Sequence, residues 1–458
     1  MRQYLTLLPL LLGGCSLNPP LDKPALPVAS YYALADSAGG NAADLGWRTF
    51  FNDPALQQII ASALANNRDL RAATLKVEIV AAQYRIQRAE RLPSLTASGS
   101  WSRKQTADNL LSGDSGTTSQ HNLTLGLSAF EIDLFGRVRS LSEAAGERYL
   151  ASEAAQRAVR ITLIASLAQA WYNQMLAAEQ LTLAEKVLAD WQHALQLTYQ
   201  RQAANQSSLI DVAQAQGQVA SAEADVEENK RALLHSRNAL GLLTGSTQAL
   251  PAASATLEDA RVRLELPAGL PSDLLTRRPD IIQAEHELVA ANADIGAVRA
   301  ALFPRLSLTA SLGLASAALN NLFSSGSRSW QLMPQIDLPV FQGGRGRNEL
   351  ALARLKKSAA LVNYEKAIQV AFREVSDGLA GNATYRLQRA AQQRVVASAR
   401  QRLSLSSLRY QNGLDSRLEL LDSQRQWYAA QQTLLRLRSA EIDNAITLYK
   451  ALGGGIYE

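Results

Sequence analysis

The 458-residue chain has one cysteine, four histidines and no run of eighteen apolar residues, and each shortage excludes something. A single cysteine builds neither a disulfide framework nor a thiolate metal site. His121, His193, His235 and His286 are scattered, with no HExxH pair among them, so neither a metal centre nor a cofactor is indicated. Without a long apolar run, no helix of this chain spans a bilayer. Charge of one sign is also scarce. The net value is +5, and the basic pairs Arg277-Arg278 and Lys356-Lys357 have no interleaved aromatics, which argues against nucleic acid as a partner.

What cysteine there is stands in a telling place. Arg2 precedes an apolar run from Leu5 to Leu12, and Leu12-Gly13-Gly14-Cys15 ends that run in small residues just before the thiol. Residues 1–14 therefore read as a signal peptide. The four residues resemble a bacterial lipobox, which implies that Cys15 becomes the acylated N-terminus, and Ser16 after it implies delivery to the outer membrane. Acyl chains give membrane affinity through buried methylenes, independently of the fold. Residues 15–46, with Pro19-Pro20, Pro24 and Pro27, read as an extended tether that gives the anchor slack.

Proline is absent from Arg137 to about Thr198, some sixty residues of helix-compatible sequence. Leu167, Leu181, Leu188 and Leu195 recur at sevens there, with Ala170, Ala177, Ala184, Trp191 and Thr198 three positions later and Gln174 interrupting, the seam of a helix packed on helices. A second rod runs from about Arg345 to Leu408. A returning helix, about Arg417 to Leu452, places Leu420, Trp427, Leu434 and Leu448 at sevens, with Glu441 breaking the series. Asp53-Pro54 starts an earlier helix expected to run to Arg91, before Pro93.

After Pro93 the period becomes twofold. Leu95, Ala97, Gly99 and Trp101 alternate with hydroxyl residues, and Leu123, Leu125, Leu127 and Ala129 alternate with Thr124, Gly126 and Ser128 beyond a polar loop from Arg103 to Gln120. A second alternating pair covers Leu306 to Leu314 and Trp330 to Leu338, with its loop from Ala315 to Ser329. The chain writes this unit twice. Asp69 and Pro93 have echoes at Asp280 and Pro304, Tyr199 and Asp211 at Tyr410 and Asp422, all offset by 211, and Ile132-Asp133-Leu134 recurs at 336–338. The expected division is a first repeat over 47–245, a linker over 246–272 and a second repeat over 273–458. Four strands cannot close a barrel, and membrane barrels start at eight, so strands in a bilayer require several chains; three would give twelve.

The phrases Trp47-Arg-Thr-Phe-Phe-Asn-Asp53-Pro54, Asn67-Arg-Asp69-Leu70, Phe130-Glu-Ile-Asp133-Leu-Phe135-Gly136-Arg137, Arg277-Arg278-Pro279-Asp280, Phe303-Pro304-Arg-Leu-Ser and Tyr410-Gln-Asn-Gly413 through Arg425 are similar to those of TolC-type outer-membrane efflux channels. The likeness is narrowest to the lipoprotein branch that works with resistance-nodulation-division pumps. It implies a mainly α fold with a membrane β-barrel: a homotrimer with a twelve-stranded barrel among outer-membrane lipids and a long α-helical tunnel in the periplasm. It also implies two partners, a periplasmic membrane-fusion adaptor and an inner-membrane pump. The function implied is a passive exit duct for small toxic compounds. Alternatives are a duct for type I polypeptide secretion and a non-conducting coiled-coil lipoprotein.

The resemblance places a periplasmic gate at the two helix reversals, with Tyr199 and Asp211 on the first and Tyr410, Arg417, Glu419 and Asp422 on the second. Carboxylates repeated about an axis would favour cations there. Enzyme signatures are fragmentary. Gly113-Asp114-Ser115-Gly116 matches a protease nucleophile motif but falls in a loop, and Gly343-Gly344-Arg345-Gly346 lacks the third glycine of a dinucleotide loop and reads as a tight entry turn. The chain is read as no enzyme.

Overall fold

The computed structural model describes residues 17–21, 25, 27–32, 44–105, 117–246, 256–264, 266 and 271–455; Cys15 and Gly113 to Gly116 lie outside them. After a short helix α1 (Trp47–Phe50), Asp53 caps α2 (Pro54–Asn66), its Oδ1 accepting from Ala55 N at 2.9 Å while proline takes the first helical position. The helix expected to continue to Arg91 instead breaks at Asn67, and α3 runs Arg68–Ala89. Buried Asn67 makes the break. Its Oδ1 accepts the Leu70 N–H at 2.9 Å, and its Nδ2 donates to Leu243 O at 2.8 Å. A local cap outweighs helical propensity here.

Strands β1 (Leu95–Gln105), β2 (Thr117–Ile132), β3 (Arg305–Ser316) and β4 (Arg328–Asp337) form one antiparallel sheet in chain order. Both hairpins reach further than expected, because Arg103 pairs with Ser119 and Gln105 with Thr117 inside the stretch read as loop. One face is apolar, from Leu95 opposite Leu127 to Trp330 opposite Leu312. The other is polar and laced across strands, Ser98 Oγ lying 2.8 Å from Thr124 Oγ1. In β2 the apolar series changes phase from Leu123, Leu125 and Leu127 to Phe130 and Ile132. A bulge absorbs the change: Leu127 pairs with Ala310 and Phe130 with Leu308, one extra residue on β2. Ala129, expected in the apolar series, sits in that bulge at φ 50° with its N–H donating to Thr309 Oγ1 at 3.1 Å.

Helices α4 (Arg137–Ala203) and α8 (Arg345–Gln411) each hold 67 residues, about 100 Å at 1.5 Å per residue. Gly136 and Gly344, both at positive φ, turn the chain into them, so the glycine run at 343–346 is an entry turn. The remaining helices are α5 (Leu209–Thr244), α6 (Leu274–Arg277), α7 (Pro279–Ala300) and α9 (Arg417–Ala451). Along α4, Ala177, Ala184, Trp191 and Thr198 are buried at sevens, but the leucine line is only half-buried from Leu181 onward, and Val187 serves as its partner line. Val187, Trp191, Ala222 and Leu421 form one core layer, covered by Leu188, Val219, Trp427 and Tyr428. Gln174 is buried despite its polarity, and so is Glu441, ion-paired to Arg389 at 2.9 Å.

The chain divides into two compact units that cut across the sequence repeat. One takes Met1–Ala25, Lys76–Glu153 and Gln283–Tyr364 and holds both hairpins; the other takes Leu26–Leu75, Ala154–Ile282 and Glu365–Glu458. In the second, Trp47, Phe50 and Phe51 have no exposed surface, and Phe50 stacks on Tyr449 at 4.0 Å between centroids. Buried Arg278 joins Asp280 at 2.6 Å, Glu374 at 2.7 Å and Ala451 O at 3.0 Å, which accounts for the Arg-Arg-Pro-Asp phrase.

In the first unit Leu17 to Pro19 are held against α4 and α7. Asn18 donates to Glu143 at 2.8 Å and accepts from Ser140 at 2.8 Å, while Asn292 donates to Pro19 O and Arg299 to Leu17 O. Gly296 leaves the space, since a Cβ there would overlap Asn18 Oδ1.

Replacing Asn67 by Ala strands the Leu70 N–H and the Leu243 carbonyl. Its expected cost is about 1–3 kcal/mol of unfolding free energy, read by denaturant titration of the detergent-solubilised protein.

Candidate functional site at the hairpin turns

Two reversals in the helical unit carry the residues expected at a gate. The first, Ala204 to Ser208, turns on Asn205 at φ 58°, and the second, Asn412 to Ser416, on Gly413 at φ 73°. Their backbones match: Gln206 N–H donates to Arg201 O at 2.8 Å and Leu414 N–H to Arg409 O at 2.9 Å. Ser208 caps α5 and Ser416 caps α9, the serine hydroxyls accepting from Asp211 N at 3.2 Å and Glu419 N at 3.3 Å. The structural counterpart of Asp211 is therefore Glu419. The sequence echo pairs Asp211 with Asp422 instead, because the first reversal holds three more residues between its tyrosine and its serine.

Asp211 closes a capping box, its Oδ2 accepting from Ser208 N at 2.9 Å and Ser208 Oγ at 2.8 Å. The Ser208 N–H and hydroxyl hold this carboxyl below the usual aspartate range, with Arg417 of the second hairpin adding to the effect. Tyr199 stays within its own hairpin, accepting from Gln216 at 2.7 Å. Tyr410 crosses to the other hairpin. Its hydroxyl accepts from Arg201 Nη1 at 2.7 Å, and the Arg201 guanidinium lies 4.9 Å from the ring centroid. Arg425 to Gln218, at 3.4 Å, is a second tie between hairpins.

Sequence reasoning named Arg417 but missed Arg201, Arg402 and Arg409. Arg402 on α8 donates to Glu419 at 2.7 Å, Asp422 at 2.9 Å and Gln426 at 2.5 Å on α9, and Arg409 holds Asp415 at 2.9 Å. Counting outward from a five-residue turn would have put Arg402 opposite Asp422 and Gln426. The charge balance changes with them. Glu419 and Asp422 share Arg402, Asp415 pairs with Arg409, and Arg417 acts on Asp211, so each of these carboxylates has an arginine near it within the chain.

Long paired helices, polar turns cross-tied by arginines, and a sheet with one apolar and one hydroxyl-lined face are now in view. The family model described as outer membrane efflux protein matches residues 59–246 and 270–454. The chain belongs to that family. A probable efflux pump outer membrane protein of Pseudomonas putida, TtgC, is 45% identical over 98% of this chain and 94% of its own. The cation efflux system protein CusC of Escherichia coli is 44% identical over 97% of each. A crystal structure of a membrane protein from Pseudomonas aeruginosa matches at TM-score 0.91 and 41% identity, covering 96% of this chain and 98% of that one. In this efflux-family chain the turn geometry holds three of the six residues expected at the reversals, Tyr410, Glu419 and Asp422, through arginine side chains.

The Asp211 cap has a definite pH dependence. Its carboxyl pKa is depressed in the fold, so its stabilisation is complete at neutral pH and is lost as the pH falls through the depressed value. Protection of the Asp211 and Val212 amides from exchange, relative to their intrinsic rates, is expected to fall on acidification. Asp211→Ala is expected to exchange fast already at neutral pH.

Proposed function

We propose that three copies of this chain form the passive outer-membrane exit duct of a tripartite efflux system. The observation that carries this reading is the open sheet. Its edge strands β1 and β4 have no partner among the described residues, and its apolar face exposes Leu95, Trp101, Leu125, Leu312, Trp330 and Ile336. A face of that kind suits lipid, and a polar face of Ser98, Thr124 and Ser311 suits an aqueous lumen. Twelve strands from three chains remove the edges. The 67-residue helices then serve as tunnel wall, and the hairpin turns meet a periplasmic adaptor bound to an inner-membrane pump. Lipid on Cys15 adds a second hold on the membrane.

Chain identity does not select the cargo, since an efflux-pump protein and a cation-efflux protein match almost equally. The hairpin turns act as the gate in this reading. Tyr410 bonded to Arg201 ties the two hairpins, and Glu419 and Asp422 bonded to Arg402 fix α9 on α8, with Arg417, Asp211 and Tyr199 at the same end.

Two measurements test this. Glu419→Ala with Asp422→Ala, and separately Tyr410→Phe, are expected to raise single-channel conductance in planar bilayers. The double variant also leaves Arg402 uncompensated and should shift selectivity toward anions. Unchanged conductance and selectivity in both would remove these residues from a gate. For the anchor, Cys15→Ser is expected to abolish labelling by radioactive fatty acid; retained labelling would refute acylation there.

A further inference from the structure

The four strands carry six aspartate, glutamate, lysine or arginine residues, and the register sorts them by face. Lys104, Glu131, Arg305 and Asp337 lie on the hydroxyl face, where Arg305 is ion-paired to Glu131 at 2.6 Å and stands opposite Asp337. Arg103 and Arg328 are the exceptions. Arg103 alternates in phase with Leu95 to Trp101, and Arg328 in phase with Trp330 to Ile336, so both belong to the apolar face. Neither guanidinium has an ionic or hydrogen-bonding partner among the described residues.

The two arginines occupy equivalent places. Each is two residues, about 7 Å of strand, from an exposed tryptophan, Arg103 beyond Trp101 and Arg328 ahead of Trp330. Both stand at the strand ends away from α3, α4, α7 and α8. Tryptophans on a lipid-facing sheet mark the boundary between hydrocarbon and headgroups, so an arginine one step further out stands at headgroup level. With the helices in the periplasm, that level is the cell-surface leaflet.

Arg328 also rims a groove. With Ala97, Leu123, Leu125, Leu312 and Leu314 it lines a cavity of about 580 Å³ on the apolar face. Gly99, in one row with Leu123, Leu314 and Arg328, adds no side chain to close it.

We propose that this patch binds a phosphorylated glycolipid of the outer leaflet, its phosphates on the guanidiniums and an acyl chain in the leucine groove. Guanidinium forks match phosphate oxygens, and an unpaired guanidinium at a lipid surface gains from an anionic headgroup. The assignment rests on the duct reading, which sets the leaflet. Strands β1 and β4 are the two edges of the sheet, so closing it with neighbouring copies brings one Arg103 and one Arg328 to each join. Two guanidiniums suit a lipid with two phosphates.

The test is native mass spectrometry of the full-length, detergent-purified protein with diphosphorylated lipid A, dephosphorylated lipid A and phosphatidylglycerol. The unaltered protein is expected to retain the diphosphorylated lipid, and Arg103→Gln with Arg328→Gln to bind it about tenfold more weakly. Lys104→Gln, on the hydroxyl face, should bind as the unaltered protein does; an equal loss there would reduce the effect to general charge and overturn the site. Equal retention by the arginine double variant, or of the dephosphorylated lipid, would overturn the phosphate contacts. Phosphatidylglycerol held as well as lipid A would overturn the glycolipid assignment. Subunit number is read in the same spectrum: lipid held through the arginines by a lone subunit would remove the trimer and leave the site, and a trimer without affinity for lipid would do the reverse. Leu312→Trp, which fills the groove, gives a second readout, with a several-fold loss of lipid and an unchanged β-sheet circular dichroism signal expected; undiminished retention would remove the groove.

Discussion

A strand edge in hydrocarbon has nowhere to place its N–H and C=O groups, and each group left unpaired there costs several kcal/mol. This chain makes a sheet with two such edges, β1 and β4, and an outward face too apolar for water. Everything else follows from that constraint. In the trimer proposed above, neighbouring copies cover those edges and bring their long helices with them. Pro334, which cannot donate to a ladder, is confined to a strand that is an edge within its own chain.

The helical unit solves a different problem, holding long rods in register. Apolar packing at sevens, with the layer around Trp191, gives adhesion but little orientation. Orientation comes from charge. Buried Glu441 with Arg389, and Arg278 with its two carboxylates, fix α9 and the start of the second repeat, because an unpaired buried charge would be costly. At the turns the ion pairs of Arg402 are exposed and correspondingly weak.

Particular residues show how far reading the chain alone reached. Helical rods, alternating strands and the duplication were legible because they depend on periodicity, and the entry glycines because they depend on backbone freedom. The break at Asn67 was not, since its cap needs a carbonyl from Leu243, far along the chain. Nor was the β2 bulge placed, although the change of phase from Leu127 to Phe130 carried the signal. The six residues expected at the reversals do lie there, but their partners were missed. A carboxylate's neighbours on an antiparallel helix follow from counting across a turn whose length sequence leaves open.

Sequence by itself determined the element types, their order, their repetition and the family, because hydrophobic period and turn chemistry act over a few residues. Tertiary structure alone decided which carboxylate meets which arginine and that Leu17 to Pro19 are clamped. Those depend on side chains brought together from distant parts of the chain, and no local pattern encodes such distances.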